Sequence, residues 1–167
     1  MVKKIMQTNE QKFDQVRKGA EEYYEKVGKV RCSYFNDFVH FNSEGFQHLL
    51  FKSWNRTRTR PKQYARLRLL SFAPEIIARS HTLQEYMEQR NLVRQKINSR
   101  WEQRLKLIRC YAFVAVILDK QLRIKIIVKE VEGGAKCFYS LYPSWRIAAD
   151  VRGNKRKVFF AGDLETE

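Results

Sequence analysis

The sequence predicts an α+β protein, with N-terminal helices followed by a small antiparallel sheet of about four strands. Three observations carry that reading. Apolar residues before residue 110 recur mostly at helical spacing, behind residues that cap helix starts. Residues 110–145 instead read as strands, with a β-branched, aromatic run and then strict alternation. A length of 167 residues suits one domain with a real core. The expected division is a helix over 1–29, a helical part over 38–109 and the sheet over 110–160.

In chain order, Thr8 and Gln11 form a capping box. Phe13, Val16, Ala20, Tyr23, Tyr24 and Val27 then give the helix its apolar stripe, and Gly28 closes it. Val30–Phe35 and Phe38–Phe41 read as short extended segments joined at Asn36-Asp37. Asn42 or Ser43 caps the next helix, Glu44 to about Trp54, with Phe46, Leu49, Leu50 and Trp54 as its stripe and His48 beside it. Pro61 suits the first turn of a third helix with Tyr64, Leu67 and Leu70 or Ser71 inward. Arg66 and Arg68 are two residues apart on it, so one is expected to reach inward. Pro74 opens a short helix to Arg79. A second capping box, Thr82 and Glu85, predicts a charged, protruding helix to about Lys106.

Cys110–Leu118 is the first strand of the sheet, and Asp119-Lys120 allows a turn. Leu122–Val131 alternates and ends at Gly133-Gly134, a two-residue hairpin signal. That loop sets Lys129 opposite Phe138, Ile127 opposite Ser140, Lys125 opposite Tyr142 and Arg123 opposite Ser144. One face then gathers Arg123, Lys125, Lys129, Ser140 and Tyr142. The other gathers Leu122, Ile124, Ile126, Val128, Tyr139, Leu141 and Trp145 as core. Val158–Phe160 is an edge strand after the basic loop 152–157, and the acidic end 163–167 is expected to be mobile.

Charge narrows the function. Lys and Arg number 33 against 18 Asp and Glu, giving +15 and a pI near 9.9. That excess calls for a polyanionic partner, nucleic acid before an anionic membrane. The densest run, Arg56, Arg58, Arg60, Lys62 and Arg68, together with Lys129, is expected to track phosphates. No apolar stretch is long enough to span a bilayer and no signal-peptide core is seen, so a cytoplasmic protein with no membrane partner is expected. Cys32, Cys110 and Cys137 lack metal-ligand spacing and read as free thiols.

Phosphate-binding loops, dinucleotide fingerprints and H-E-x-x-H are absent from the sequence, and acids are scarce near the basic runs. Three histidines, many cations and strand hydroxyls remain. That inventory suits RNA cleavage without a metal or other cofactor. The reaction needs a base for the 2′-OH, cations for the phosphorane and an acid for the leaving 5′ oxygen. A non-catalytic nucleic-acid-binding protein with the same basic face is the alternative.

The motifs V-H-F-N-S-E-G-F-Q-H-L-L (39–50), R-L-R-L-L (66–70), A-P-E-I-I (73–77), R-I-K-I-I-V-K (123–129) and C-F-Y-S-L-Y-P (137–143) carry a resemblance. Together they resemble the phage-associated branch of the barnase–EndoU–colicin–RelE nuclease superfamily, over residues 38–145. The resemblance implies a toxin-like endoribonuclease, with an acidic antitoxin or immunity protein as a further partner. It implies His48 as base or acid, with His40 the alternative. Arg123 or Lys125 becomes the strand cation, Ser140 the phosphate-contacting hydroxyl just before Tyr142, and Arg66 a helical arginine near the site. The segment 82–106 has no counterpart in that pattern.

Overall fold

A computed structural model of the chain describes residues 2–53, 55–149 and 155–159, with side chains over 10–53 and 55–143. The side chains of Ser144 and Trp145, all of Trp54 and Phe160, most of the basic loop before Lys155 and the acidic end lie outside the described residues. The architecture is α+β. The elements are α1 (Val2–Val27), β1 (Lys29–Cys32), β2 (Asp37–His40), α2 (Ser43–Leu50), β3 (Phe51–Ser53), β4 (Arg56–Thr57), α3 (Arg60–Leu69), a short 3₁₀ turn (Leu70–Phe72) and α4 (Ala73–Arg79). There follow β5 (Glu85–Ile97), β6 (Arg100–Ile117), β7 (Leu122–Val131), β8 (Lys136–Ala149) and β9 (Lys155–Phe159).

Helix ends follow the residue chemistry closely. Asn42 caps α2 by accepting from the Gly45 N–H at 3.1 Å, and Glu44 sits in the first turn near the positive end of the helix. The helix stops at Leu50, short of the expected Trp54, because Phe51 turns extended and opens β3. Gly28 ends α1 at a φ of 60°, which a glycine adopts without penalty. The start of α1 differs from expectation. The helix already runs from Val2, so Thr8 lies in its interior rather than at a cap.

A seven-stranded sheet runs in the order β1-β2-β8-β7-β6-β5, with β9 also on β8. It is larger than the four strands expected, for two reasons. β1 and β2 join it through a short parallel pairing at His40 and Cys137. Residues 85–106 are also strand, not helix, and pair antiparallel from Glu85–Ala112 to Ile97–Arg100. The helical part therefore ends at Arg79, not at residue 109. Asn98 and Ser99 form the tip at φ 46° and 67°, the left-handed pair a tight two-residue hairpin requires.

Helices cover one face of the sheet. Phe13, Tyr24, Phe46, Leu49, Leu67 and Ile77 bury there against Phe113, Ile124, Ile126, Val128, Phe138 and Leu141. On the opposite face Ile108, Cys110, Ala112, Ile127, Tyr139 and Tyr142 form a smaller cluster. Cys32 and Cys110 are buried free thiols, and Cys137 is half-buried.

The β7–β8 register is as expected in its middle, with Lys125 opposite Tyr142 and Ile127 opposite Ser140. Its ends differ. Val128 faces Phe138, so Tyr139 is the extra residue of a bulge. The bulge turns Phe138 into the helix-side core and Tyr139 onto the other face, the reverse of the expected assignment. Lys129 accordingly faces Cys137, and at a second irregularity Arg123 faces Trp145 instead of Ser144. The connection is also longer than two residues. Glu130 pairs with Lys136, and the Gly134 N–H bonds the Val131 carbonyl across a turn in which Gly133 alone takes positive φ.

Candidate functional site at the open edge of strand β8

Between its pairings with β2 at Cys137 and with β9 from Trp145, no strand pairs with this edge of β8 among the described residues. Helices α2 and α3 pack against β8 there. Gly45 makes the approach possible. A Cβ at that position would stand 2.2 Å from the Phe138 carbonyl oxygen and 2.5 Å from the Tyr24 hydroxyl. Three residues on, in the last turn of α2, is His48.

His48 is only 7% exposed, and its ring stacks on Tyr139 at 4.0 Å between centroids. Arg58 holds it from the other chain segment. The Arg58 Nε–H donates to the His48 carbonyl at 3.0 Å, and Nη2 lies 3.5 Å from Nδ1. A guanidinium has donors only, so the neutral ring presents Nδ1 as acceptor and carries its proton on Nε2. Nε2 is buried and makes no hydrogen bond among the described residues. Burial pushes the imidazolium pKa from the usual 6.5 down to about 3, and the charges of Arg58, Arg66 and Lys129 push the same way. A backbone contact with Lys52 opposes the shift weakly. His48 is therefore neutral in the free protein.

Arg66 is the inward-reaching arginine of α3, 3% exposed, while Arg68 faces out. Its Nη1–H donates to Ser140 Oγ at 2.7 Å and to the Leu141 carbonyl at 2.9 Å, capping an otherwise open strand edge. The guanidinium also lies 5.2 Å from the Tyr142 ring centre. Gln63 takes the inward position expected of Tyr64, which is 41% exposed. Lys129 sits 4.5 Å over the Tyr139 ring and pairs with Glu44 at 3.1 Å. Lys125 sits over Tyr142 and pairs with Glu85.

The structure thus brings His48, Tyr139, Lys129, Arg58, Arg66, Ser140 and Tyr142 together, with Lys125 one step further along β7. Arg123 stands at the far end of β7. His40 is exposed on β2, and His81 lies at a separate hollow beside α4. Ser140 is fully buried, so its hydroxyl serves Arg66 in this arrangement. Of the expected phosphate-tracking cations, Arg56, Arg60, Lys62 and Arg68 are exposed. Arg58 is not: at 3% exposure it belongs to the interior of the site, because Gln63 fixes its carbonyl at 2.8 Å and His48 receives its side chain.

A cleft of about 500 Å³ opens beside His48, lined also by Glu44, Gln47, Phe51, Lys52, Ser53 and Tyr139. Sequence reasoning missed Gln47, Lys52 and Ser53 and assigned Tyr139 to the core. The available signal was the helical spacing of Glu44, Gln47 and His48 behind Gly45, which puts three polar side chains beside the bulge. Among the described residues no three His, Cys, Asp or Glu side chains converge as metal ligands would. No helix of the described residues is long and apolar enough to cross a membrane. No family model matches this chain, and neither does any curated protein or solved structure compared with it.

Proposed function

We propose that this chain is a metal-independent endoribonuclease of toxin-like character that cleaves RNA by 2′-OH transesterification. The observation that carries the reading is a cleft lined by His48, Tyr139 and Lys52, with the cations Arg58, Arg66 and Lys129 gathered around His48. Tyr139 already carries His48 and Lys129 on its ring, so a strand would enter past Gln47, Lys52 and Ser53 and bring its phosphate toward these cations. The 2′ oxygen then attacks phosphorus, the bond to the 5′ oxygen breaks, and a 2′,3′-cyclic phosphate and a 5′-hydroxyl remain. The 2′ proton must leave and the departing oxygen must gain one, and His48 is the imidazole that lines the cleft.

A neutral His48 with a pKa near 3 is a weak base in the free protein. An arriving phosphate offsets the charges of Arg58, Arg66 and Lys129, which raises the histidine pKa in part, while burial, the larger cause of its low value, remains. The pH dependence of kcat should accordingly report a higher histidine pKa than that of kcat/KM. These cations contribute charge stabilisation of the phosphorane.

The burial of Ser140 and the tethering of Arg66 to it favour a second reading, in which the same cleft binds RNA without cutting it. Total RNA incubated with the protein and EDTA separates the two. Fragments ending in 2′,3′-cyclic phosphate support the nuclease, and intact but tightly bound RNA replaces it with the binding protein. RNA as partner, and an acidic antitoxin or immunity protein that covers the basic cleft, belong to this proposal, as does a cytoplasmic setting.

A further inference from the structure

A second hollow, of about 420 Å³, adjoins the His48 cleft and shares Phe51 as a wall. Its polar lining is Arg17 of α1, Thr57, Arg58, Thr59 and Arg60 of the segment entering α3, and Gln63. None of the lining residues is acidic. Three arginines therefore line one small space with no carboxylate residue in its wall. The positive end of the ten-residue α3 opens at the same place, and Thr59, its cap residue, makes no side-chain capping bond to the first turn. Gln63 Nε2 holds the Arg58 carbonyl at 2.8 Å and keeps the segment in place.

We propose that this hollow is a phosphate subsite, which takes the phosphodiester group adjacent to the one at His48 on a bound RNA strand. Guanidinium forks match the oxygens of a phosphate, and backbone N–H groups at a helix start favour an anion. Arg58 ties the two spaces together, since it borders the hollow and donates to the His48 carbonyl at 3.0 Å. Phe51 separates them, so a strand passing from one to the other presents successive phosphates to each. The inference rests on the RNA reading above but concerns binding alone.

The test uses the full chain and a 2′-O-methyl oligoribonucleotide, which cannot undergo 2′-OH attack, with inorganic phosphate as competitor. Arg17→Gln is the main variant, because Arg17 is exposed and its loss leaves the fold intact. Arg60→Lys is the second. It keeps a charge and a long stem where Arg60 stacks over Phe13 at 4.2 Å, but removes the fork. Arg17→Gln should weaken RNA binding about tenfold, as loss of a charge-assisted contact does. It should also make the slope of log K against log salt shallower by roughly 0.7. Arg60→Lys should fall between it and the wild type. Inorganic phosphate should displace the RNA from the wild type, and less effectively from Arg17→Gln. An unchanged affinity and slope in Arg17→Gln, or phosphate that does not displace RNA at all, overturns the subsite. Failure of the wild type to cut ordinary RNA would end the catalytic reading and leave these binding results standing. Cutting by a wild type whose RNA affinity does not depend on Arg17 would do the reverse.

Discussion

At the open edge of β8, Arg58 and Arg66 are 3% exposed and His48 7%, whereas at the outer end of the β5–β6 ribbon Leu92, Trp101 and Leu105 stand 66%, 61% and 59% exposed. Polar groups are inside in one region and apolar groups outside in the other. The cause is layering. At β8 two helices close over the strand edge, so a charge placed there must find partners or pay desolvation. Arg66 finds Ser140 and the Leu141 carbonyl, and Arg58 finds the His48 carbonyl. Beyond the last β6–β7 pair, Ile108–Val131, no third strand pairs with the ribbon among the described residues. Leu92 lies directly across from Leu105, and the ladder itself holds the two strands. Substitutions at the edge should therefore be costly and those at the ribbon end cheap.

The largest effect is expected from Gly45→Ala. The added methyl group meets the Phe138 carbonyl, which is backbone and cannot swing away. A loss of ~3 kcal/mol, read by denaturant unfolding, is the expected cost of such overpacking. Tolerance of the substitution would mean that α2 does not sit as close to the bulge as described, and His48 would move with it.

Arg66→Ala should come next. It leaves Ser140 Oγ and the Leu141 carbonyl buried without their donor, at a cost of ~2 kcal/mol in urea unfolding. A loss as small as that of an exposed surface arginine would place Arg66 in solvent instead.

A comparable effect concerns pH. His48 has a folded-state pKa near 3 against 6.5 for the ordinary side chain, so the unfolded chain binds the extra proton first on acidification. This contribution to stability is complete above pH 6.5 and is lost as pH falls toward 3. Between pH 7.5 and 5 the wild type should lose about 2 kcal/mol more than His48→Gln, which does not titrate. Parallel pH profiles would show that the imidazole is solvated. The smallest effect belongs to the ribbon: Leu92→Thr should change stability by less than about 0.5 kcal/mol. A larger loss would mean that Leu92 is covered.

The same contrast decides what was legible in the sequence. α2, α3 and α4 each have one buried and one wet face, and β7 alternates apolar residues with cations, so apolar spacing and caps announce them. The β5–β6 ribbon has little buried on either face beyond Gln89, and its residues therefore carry no strong apolar alternation. Its charges read as a solvated helix, and the Asn98-Ser99 tip was the remaining signal. The Tyr139 bulge was hidden for another reason. Either Phe138 or Tyr139 suits the core by type, and the choice depends on how closely Gly45 approaches β8, a contact between residues far apart in the chain. That one of Arg66 and Arg68 turns inward was legible from their spacing, though the spacing did not say which. The inward Arg58 was not, because its burial depends on His48 and Gln63 together. The central pairs Lys125–Tyr142 and Ile127–Ser140 came out as expected from a two-residue loop, because the Tyr139 bulge offsets the longer connection.

The central claim is that the β8 edge is a site at which His48 transfers protons, and single-turnover cleavage of RNA by His48→Ala in EDTA tests it most directly. The account predicts a rate reduced by roughly 100- to 10,000-fold, the range of a general acid–base group, with RNA affinity for a 2′-O-methyl strand little changed. Wild-type cleavage by His48→Ala, or loss of wild-type cleavage on adding EDTA alone, would contradict it.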